Sequence, residues 1–283
     1  MVAGATTLKE ALSQARFLLA SCGIAEARLE AELLLMHILG IGRAELYTEF
    51  ASPLSLEAAE EFWHLVQQRS GYEPTAYILK QCQFYGRDFY IDERAFIPRP
   101  ESELLVEQAL EFARKRFPYS IADVGTGSGV IAISLALHLP QAEVYAIDIS
   151  SAALEVASIN CQRYGVKVCL LHGDLLQPLP EAVDIIVANL PYISEPEFKL
   201  LSLEIINFEP ISALYGGADG LDKIRQLLPQ AKEKLRPGGL MLLEIGQGQG
   251  KEASALVSYR FPDARIDLLP DLRGIDRVLR VLR

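Results

Sequence analysis

The sequence predicts an α/β fold in which a mostly parallel sheet carries helices on both faces and is preceded by a small helical domain. From Ser120 onward, short apolar runs alternate with helical stretches, which is typical of a parallel sheet. Residues 1–80 show only helical periodicity, and aromatic residues crowd the stretch that follows. We therefore expect a helical domain over residues 1–80, a β-hairpin linker over 81–97 and the α/β domain over 98–283.

Helices are predicted along most of the first domain. Thr7-Leu8-Lys9-Glu10 is a capping-box pattern, apolar residues with helical spacing follow it, and Gly23 can end the helix. A second helix is expected over residues 25–39 and a third from Ser55 to about Ser70. Because this domain shows no recognisable catalytic constellation, we interpret it as a substrate-recognition domain, with a purely stabilising role as the alternative.

Aromatic residues around a turn predict the hairpin. Phe84 and Phe89 lie on either side of Gly86-Arg87-Asp88, which is typical of a strand–turn–strand unit. Ile97-Pro98-Arg99-Pro100 must then be extended, because each proline pushes the residue before it out of the helical region. A helix is expected after it, over residues 101–117.

The α/β domain is predicted as alternating strands and helices. Strands are expected at residues 120–124, 143–147, 167–171, 183–188 and 239–245, and helices at about 129–139, 151–164 and 219–235. Two further strands, at 265–269 and 277–281, are predicted to pair antiparallel. A mostly parallel, seven-stranded sheet that ends in such a pair resembles the class I, Rossmann-like fold of S-adenosylmethionine-dependent methyltransferases.

Composition argues against several classes of protein. No apolar run reaches the roughly 18 residues that span a bilayer, and residues 1–6 lack the features of a secretion signal. The formal net charge of −10 argues against a nucleic-acid substrate, because binding phosphates usually needs a basic face. The four cysteines have no CxxC spacing, which predicts buried reduced thiols and no metal site. We therefore expect a cytoplasmic protein with no membrane partner.

A glycine-rich turn and two acidic residues form the predicted site for a methyl donor. The glycines of Gly125-Thr126-Gly127-Ser128-Gly129 allow a tight turn and close approach of a ligand, and Val130 stands where a dinucleotide fingerprint requires glycine. Asp148 ends the next strand, where a carboxylate can accept hydrogen bonds from ribose hydroxyls. Asp174, after the third strand, can reach an adenine amino group, and the adjacent Leu175 is included in the cofactor-binding set. The predicted cofactor is S-adenosylmethionine.

Each of these signals alone also has a structural interpretation. The glycine loop could be an ordinary turn, Asp148 could cap the next helix, and Asp174 could be a loop carboxylate. Their positions at the carboxyl ends of successive predicted strands agree with one another, however, which favours a shared ligand.

The tetrapeptide Asn189-Leu190-Pro191-Tyr192 follows the fourth predicted strand and is predicted to be catalytic and to hold the methyl acceptor. The side-chain oxygen of Asn189 can accept a hydrogen bond from an NH2 group. Leu190, extended because it precedes Pro191, can aim its carbonyl at the same group. Tyr192 offers a flat face on which a planar amide or base can stack. A proline turn after a strand is the alternative interpretation.

Two acceptors that grip the hydrogens of an amide nitrogen favour a pyramidal nitrogen and free its lone pair for the donor methyl group. No strong base is needed, since the proton can leave after transfer, so catalysis would rest on positioning and electrostatics. Asn189, which ends the fourth predicted strand, is assigned to both the donor and the acceptor site.

Over nearly its whole length the chain resembles the protein-(glutamine-N5) methyltransferases that modify peptide chain release factors. Beside the glycine loop and Asp148, the segments that carry the resemblance are Glu73-Pro74-Thr75-Ala76-Tyr77-Ile78-Leu79, Ile97-Pro98-Arg99-Pro100-Glu101-Ser102-Glu103, Asn189-Leu190-Pro191-Tyr192-Ile193, Phe208-Glu209-Pro210, Gly216-Gly217-Ala218-Asp219-Gly220 and Glu244-Ile245-Gly246. The chain departs from the family at Leu190, where the first proline of Asn-Pro-Pro-Tyr is usual, and at Ile275, where arginine is common.

The resemblance implies that Phe96, Arg99 and Glu244 bind substrate together with the acceptor tetrapeptide. It implies S-adenosylmethionine as donor and, as acceptor, the glutamine of the Gly-Gly-Gln motif in release factors. Only the carbonyl of residue 190 is needed by the proposed chemistry, so activity should survive the departure there.

Three alternatives remain open at the level of sequence. A close sister activity methylates a glutamine of a large-subunit ribosomal protein, and the motifs do not separate it from the release-factor activity. An adenine-N6 methyltransferase shares the tetrapeptide, but the acidic composition and the lack of a separate basic domain argue against it. A non-catalytic adaptor is disfavoured by the intact Asn189 and Tyr192.

Overall fold

The computed structural model describes residues 6–114 and 119–283. The chain divides into two compact units, the first ending at Gln81 and the second spanning Cys82–Arg283. The segment predicted to lack a secretion signal, residues 1–6, lies outside the described residues apart from Thr6. In the described parts, no helix combines the length and apolar character needed to cross a bilayer.

The first unit is a helical bundle. Its helices are α1 (Leu8–Ser21), α2 (Ala27–Leu39), α3 (Arg43–Thr48), α4 (Leu56–Ser70) and α5 (Thr75–Ile78). The predicted capping box is present, since Thr7 and Glu10 exchange hydrogen bonds at the start of α1. Helices α3 and α5 were not predicted, because helices this short do not display a full apolar period. The core of the bundle comes mainly from α1, α2 and α4, with Leu46 from α3, and it includes the fully buried Leu19, Leu34, Leu35, Phe62 and Val66.

The predicted hairpin is present and belongs to the second unit. Strands β1 (Cys82–Phe84) and β2 (Arg87–Phe89) pair antiparallel around Tyr85 and Gly86, whose φ angles are 49° and 70°. Both positive φ angles are typical of the two-residue turns that match the twist of a hairpin. Asn160 holds the end of the hairpin, because its side chain accepts a hydrogen bond from Tyr90 N and donates one to Tyr90 O.

The second unit contains a seven-stranded sheet with helices between the strands. Its remaining elements are α6 (Glu103–Ala113), β3 (Ser120–Val124), α7 (Val130–His138), β4 (Glu143–Asp148), α8 (Ser151–Tyr164), β5 (Cys169–His172), β6 (Val183–Ala188), α9 (Glu195–Phe198), α10 (Leu203–Phe208), α11 (Asp222–Lys234), β7 (Leu235–Glu244), α12 (Gly250–Arg260), β8 (Arg265–Pro270) and β9 (Asp276–Leu282). The strand order is β5-β4-β3-β6-β7-β9-β8. Strands β3 to β7 are parallel, and β9 is antiparallel to both β7 and β8. The predicted fold class is confirmed.

Some predicted boundaries are wrong. The helix expected over residues 101–117 begins as a 3-10 turn, Pro100–Ser102, continues as α6 and is no longer helical at Arg114; residues 115–117 lie outside the described residues. Helix α12 was missed, because the glycines at 246, 248 and 250 obscure the start of its periodicity. The prediction of buried thiols is wrong for Cys169, which is exposed on the edge strand β5; Cys82 is buried, and Cys22 and Cys161 are half-buried.

The topology places the carboxyl ends of β3, β4 and β6 side by side. Strand β3 lies between β4 and β6, so the order of strands reverses at β3. In open α/β sheets, the crevice at such a reversal is where ligands bind. The core beneath it is apolar and includes Val124, Ile147 and Ala188, the last or near-last residues of these strands.

Candidate active site

A cavity of about 400 Å³ opens at the carboxyl ends of β3, β4 and β6. Most of the residues predicted for the donor and acceptor sites line it, namely Gly125, Thr126, Gly127, Ser128, Asp148, Asp174, Leu175, Asn189, Leu190, Pro191, Tyr192 and Phe96. Gly129, Arg99 and Glu244 are not among the lining residues. The structure therefore brings the two predicted half-sites into one cavity, and it places three predicted residues behind its walls.

The glycine loop needs its glycines for different reasons. Gly125, Gly127 and Gly129 all have positive φ, at 73°, 56° and 82°, a region that other residues rarely adopt. A Cβ on Gly125 would lie 3.1 Å from Leu190 Cδ2, so this glycine lets the loop approach the tetrapeptide. A Cβ on Gly127 would meet no atom of the described residues within 4 Å, which leaves open space for a ligand. A Cβ on Gly129 would lie 3.1 Å from Ala157 Cβ, so Gly129 allows α7 to pack on α8.

Asp148 is anchored at the end of β4 by backbone N–H groups. Its Oδ2 accepts from Gly127 N at 2.8 Å and its Oδ1 accepts from Ser150 N at 2.8 Å. Burial raises the pKa of Asp148, and the bonds from these backbone groups oppose that rise. Each carboxylate oxygen can accept a further bond, as required for binding a pair of hydroxyl groups. The next residue, Ile149, is 59% exposed and lines the same cavity, so it offers an apolar surface beside the carboxylate.

Leu175 adopts an uncommon backbone conformation in the cavity wall. Its φ is 52°, in the left-handed region, although it is not glycine, and its side chain is buried. Such residues are costly and tend to occur at functional sites. Asp174, just before it, is half-buried and lines the cavity.

A chain of hydrogen bonds fixes the acceptor tetrapeptide from behind. Asn189 Nδ2 donates to Ser102 Oγ at 2.9 Å, and Ser102 Oγ donates to Glu244 Oε2 at 2.6 Å. The Tyr192 hydroxyl donates to the other carboxylate oxygen, Glu244 Oε1, at 3.2 Å. Glu244 thus contacts the two polar residues of the tetrapeptide, one directly and one through Ser102.

Glu244 is a buried carboxyl group with a raised pKa. Burial raises its pKa to about 7, and hydrogen bonds from Ser102 and Tyr192 and the nearby charge of Arg277 only partly oppose the rise. The charge of Glu101 adds to it. Burial next to this carboxyl group also raises the pKa of Tyr192, which keeps the phenol protonated. Glu244 can therefore change charge close to neutral pH.

The glycine block at residues 216–220 supports the backbone of the tetrapeptide. A Cβ on Gly216 would lie 2.6 Å from Pro191 O, and a Cβ on Gly220 would clash with Tyr192 O. Gln249 Nε2 donates to Tyr192 O at 2.9 Å. Glycine is required here because the two loops approach too closely for any side chain.

Arg99 acts on the cavity through Phe96. Its guanidinium carbon lies 4.7 Å from the Phe96 ring centroid, within the range of a cation–π contact. Arg99 also forms a salt bridge with the buried Glu209, which in turn accepts a hydrogen bond from Ile97 N at 3.3 Å. Burial raises the pKa of Glu209, and Arg99 opposes this. The predicted substrate-binding residue Arg99 thus holds one wall in place and does not line the cavity.

Several lining residues were missed by sequence reasoning. They are Arg94, Ser102, Ile149 and Lys223, together with the apolar residues at 211 and 213–215. Ser102 lies in the segment Ile97-Pro98-Arg99-Pro100-Glu101-Ser102-Glu103, which the family resemblance identified, but no role was predicted for Ser102 itself. Lys223 carries no local signal at all, because a lysine near the start of a helix is common on any surface.

The donor side has the chemistry expected of a site for a nucleoside-bearing ligand. It combines an open glycine turn, an anchored carboxylate and apolar surface from Ile149 and Leu175. The acceptor side combines Asn189 with Leu190, Pro191 and Tyr192, which line the same cavity. The described residues contain no group of three or more His, Cys, Asp or Glu side chains that could hold a metal ion.

Family models match both units. The PrmC N-terminal domain matches residues 10–79, and the Methyltransferase small domain matches residues 100–209. Among solved structures, a methyltransferase from Pyrococcus furiosus superposes with a TM-score of 0.53 at 18% identity, covering 76% of this chain and 96% of the other. The 16S rRNA N2 G1207 methyltransferase of T. Thermophilus, in complex with AdoMet and guanosine, gives 0.51 at 21% identity over 72% of this chain and 49% of its own. These likenesses support the class I fold.

Full-length relatives are more similar still. A release factor glutamine methyltransferase of Moorella thermoacetica is 42% identical over 284 residues, covering 98% of this chain and 99% of the relative. Proteins with the same name from Geobacter sulfurreducens and Bacillus subtilis are 40% and 38% identical, covering 96% and 98% of this chain and 95% and 98% of their own. The chain therefore belongs to the family of release factor glutamine methyltransferases.

Proposed function

We propose that this protein transfers a methyl group from S-adenosylmethionine to the side-chain amide nitrogen, N5, of the glutamine in the Gly-Gly-Gln motif of peptide chain release factors. The names of the full-length relatives support this substrate over a ribosomal protein or a nucleic acid. The observation that carries the proposal is the orientation of Asn189. Its Nδ2 is bonded to Ser102, so its Oδ1 remains available in the cavity that also contains the glycine loop and Asp148.

The donor is held by the β3–β4 side of the cavity. Asp148 would accept hydrogen bonds from the ribose hydroxyls, and the open space at Gly127 would leave room for the ligand. Ile149 and Leu175 would offer apolar contacts to the adenine, and Asp174 would accept a hydrogen bond from its amino group. When bound, the donor would supply an electrophilic methyl group on a positively charged sulfur, and S-adenosylhomocysteine would be the product that leaves.

The acceptor amide is held by the tetrapeptide. Asn189 Oδ1 and the Leu190 carbonyl accept hydrogen bonds from the two N–H groups of the glutamine amide. Tyr192 and Phe96 pack against the planar amide and exclude water from it. An amide NH2 is a poor nucleophile because its lone pair is delocalised, and the two acceptors favour the pyramidal form in which the lone pair is free. The residues act by positioning and by electrostatics, with no base required before transfer.

The first unit serves to recognise the protein substrate. It matches a family-specific N-terminal domain, and it contributes none of the residues assigned to the donor or acceptor. The cytoplasmic location predicted from the sequence is the compartment in which translation and its release factors operate, and it stays a prediction.

The experiment that tests this function is mass spectrometry of a release factor after incubation with the enzyme and S-adenosylmethionine. We expect one added methyl group on the glutamine of Gly-Gly-Gln, none when that glutamine is replaced by alanine, and much slower methylation when the enzyme carries Asn189→Ala. Ribosomal proteins and DNA are incubated in parallel. Methylation of a ribosomal-protein glutamine or of adenine, with an unmodified release factor, would contradict the proposal.

A further inference from the structure

Ser102 is hydrogen-bonded to both the Asn189 amide and the Glu244 carboxyl group. It lies between Asn189, 87 positions away in the chain, and Glu244, 142 positions away, and it is itself only 2% exposed. We propose that Ser102 is a positioning residue that holds the Asn189 amide with its oxygen toward the acceptor, and that the carboxylate of Glu244 sets this orientation through Ser102. This inference rests on the proposed function, in which Asn189 Oδ1 grips an NH2 group.

The number of hydrogens that each group carries fixes the direction of these hydrogen bonds. A serine hydroxyl has one hydrogen to donate, and an ionised carboxylate can only accept. Because Ser102 donates its hydrogen to Glu244 Oε2, its oxygen is left only as an acceptor toward Asn189. An acceptor selects the NH2 end of the amide, so Nδ2 faces Ser102 and Oδ1 faces the cavity.

The opposite charge state of Glu244 removes this selection. A protonated carboxyl can donate its hydrogen to Ser102 Oγ, which frees the serine hydrogen for Asn189. Ser102 then selects Oδ1, and the amide turns so that Nδ2 faces the cavity. The NH2 group of Asn189 would then face the NH2 group of the substrate. Both groups are donors, so the hydrogen bond from the substrate nitrogen to Asn189 is lost.

The surroundings of Glu244 make both charge states accessible. The titratable and charged groups that face it are Tyr192 from the segment after β6, Arg277 from β9 and Glu101 from the 3-10 turn. Burial dominates their combined effect and raises the pKa of Glu244 to about 7. The fraction of enzyme with ionised Glu244, and hence with the productive Asn189 orientation, should increase as pH rises through this value.

The kinetic test compares methyl transfer at saturating donor across about pH 6 to about pH 8. The wild-type rate should rise with a midpoint near 7. Ser102→Ala should be slower by about tenfold at the upper end, since a key acceptor is no longer held in place, and should lose the rise. Ser102→Thr keeps a hydroxyl and should restore both the rate and its rise with pH. Glu244→Gln resembles the protonated acid and should be slow and flat with pH.

Tyr192→Phe is the matched control. It removes the other hydrogen bond to Glu244 and leaves the Ser102 link intact, so its rate, whatever its level, should still rise with pH. A merely structural role of Ser102 would lower the rate equally at every pH. The relay, meaning the chain of hydrogen bonds from Glu244 through Ser102 to Asn189, is therefore overturned if Ser102→Ala keeps the wild-type rise or rate, or if a folded Ser102→Thr enzyme fails to restore them.

A second measurement needs no substrate. The side-chain NH2 signals of Asn189, identified by their loss in Asn189→Ala, are followed by NMR over the same pH range. We expect them to shift with a midpoint near 7 in the wild type and to be insensitive to pH in Ser102→Ala. An enzyme that shows this titration but methylates no glutamine would overturn the proposed function and support the relay. If the enzyme methylates glutamine but the Asn189 NH2 signals change neither with pH nor in Ser102→Ala, the relay alone is overturned.

Discussion

The backbone N–H of Gly127 donates a hydrogen bond of 2.8 Å to Asp148 Oδ2, which ties the glycine loop after β3 to the end of β4. The glycine loop and Asp148, both predicted to bind the donor, are thus directly hydrogen-bonded to each other. The contact orients the carboxylate and also satisfies a backbone donor of the loop, so a change at Asp148 should affect both ligand binding and the loop itself.

Asp148→Ala should weaken binding of S-adenosylmethionine by roughly 1–3 kcal/mol, the range for losing hydrogen bonds to a charged group. Isothermal titration calorimetry measures this directly. Asp148→Asn is the matched control, since one oxygen remains as an acceptor and the loss should be smaller. Unchanged donor affinity in Asp148→Ala would reject the assignment of Asp148 to the ribose.

Asn189→Ala should leave donor affinity nearly intact while methyl transfer falls by on the order of a hundredfold or more, the scale of losing a key positioning group. The reason is that Asn189 Nδ2 is bonded to Ser102, and in the proposed mechanism its Oδ1 binds the acceptor and not the donor. Calorimetry and single-turnover transfer, measured on the same preparation, separate the two effects. Parallel loss of donor affinity and of transfer would instead make Asn189 chiefly a donor ligand.

Substitutions at Leu190 test whether its backbone carbonyl accepts a hydrogen bond from the substrate amide. Leu190→Pro keeps the carbonyl and stiffens the loop, so we expect transfer within about tenfold of the wild type. The Leu190 side chain is only 6% exposed, so replacing it in Leu190→Pro should remove packing contacts and lower the melting temperature. Leu190→Ala serves as the control for that packing loss, and Leu190→Gly should be slower than Leu190→Ala because extra backbone freedom must be ordered. A folded Leu190→Pro enzyme that binds the donor and cannot transfer methyl would end this idea.

Asp123 should make stability depend on pH. It is 1% exposed, its Oδ2 accepts from Thr126 and Ala132, and its Oδ1 has no hydrogen-bond partner among the described residues. Burial raises its pKa to about 7 from an ordinary value of 3.8. Because the folded pKa is the higher one, stability is greatest below the unfolded pKa and falls as pH rises toward about 7, then levels off.

Asp123→Asn removes this titration, so its free energy of unfolding relative to the wild type should increase between about pH 4 and about pH 7. Chemical denaturation at several pH values gives the difference. Asp267→Asn is the control, because the hydrogen bond from Arg280 lowers the pKa of Asp267 from its ordinary value of 3.8. Asp267 is therefore ionised in both the folded and the unfolded state over this range, and the difference between Asp267→Asn and the wild type should not change with pH. A pH-independent difference between Asp123→Asn and the wild type would show that Asp123 does not titrate in this range.

The sequence by itself determined the class of fold and the position of both half-sites. Apolar periodicity and strand length are local properties, and they identified every strand of the sheet. Once a parallel sheet is predicted, residues that follow its strands must gather at one edge, and Gly127, Asp148 and Asn189 do so. The resemblance added the identity of the acceptor, which spacing alone left between an amide and a base.

Only the tertiary structure decided how these residues act on one another. Ser102, Asn189 and Glu244 are far apart in the chain, and no local pattern specifies that one hydroxyl bridges the other two. The same holds for Arg99, which supports Phe96 and pairs with Glu209 instead of lining the cavity. Hydrogen-bond direction and the pKa of a buried carboxyl depend on which groups packing brings within about 3 Å. Those distances arise only when strands and loops distant in sequence come together.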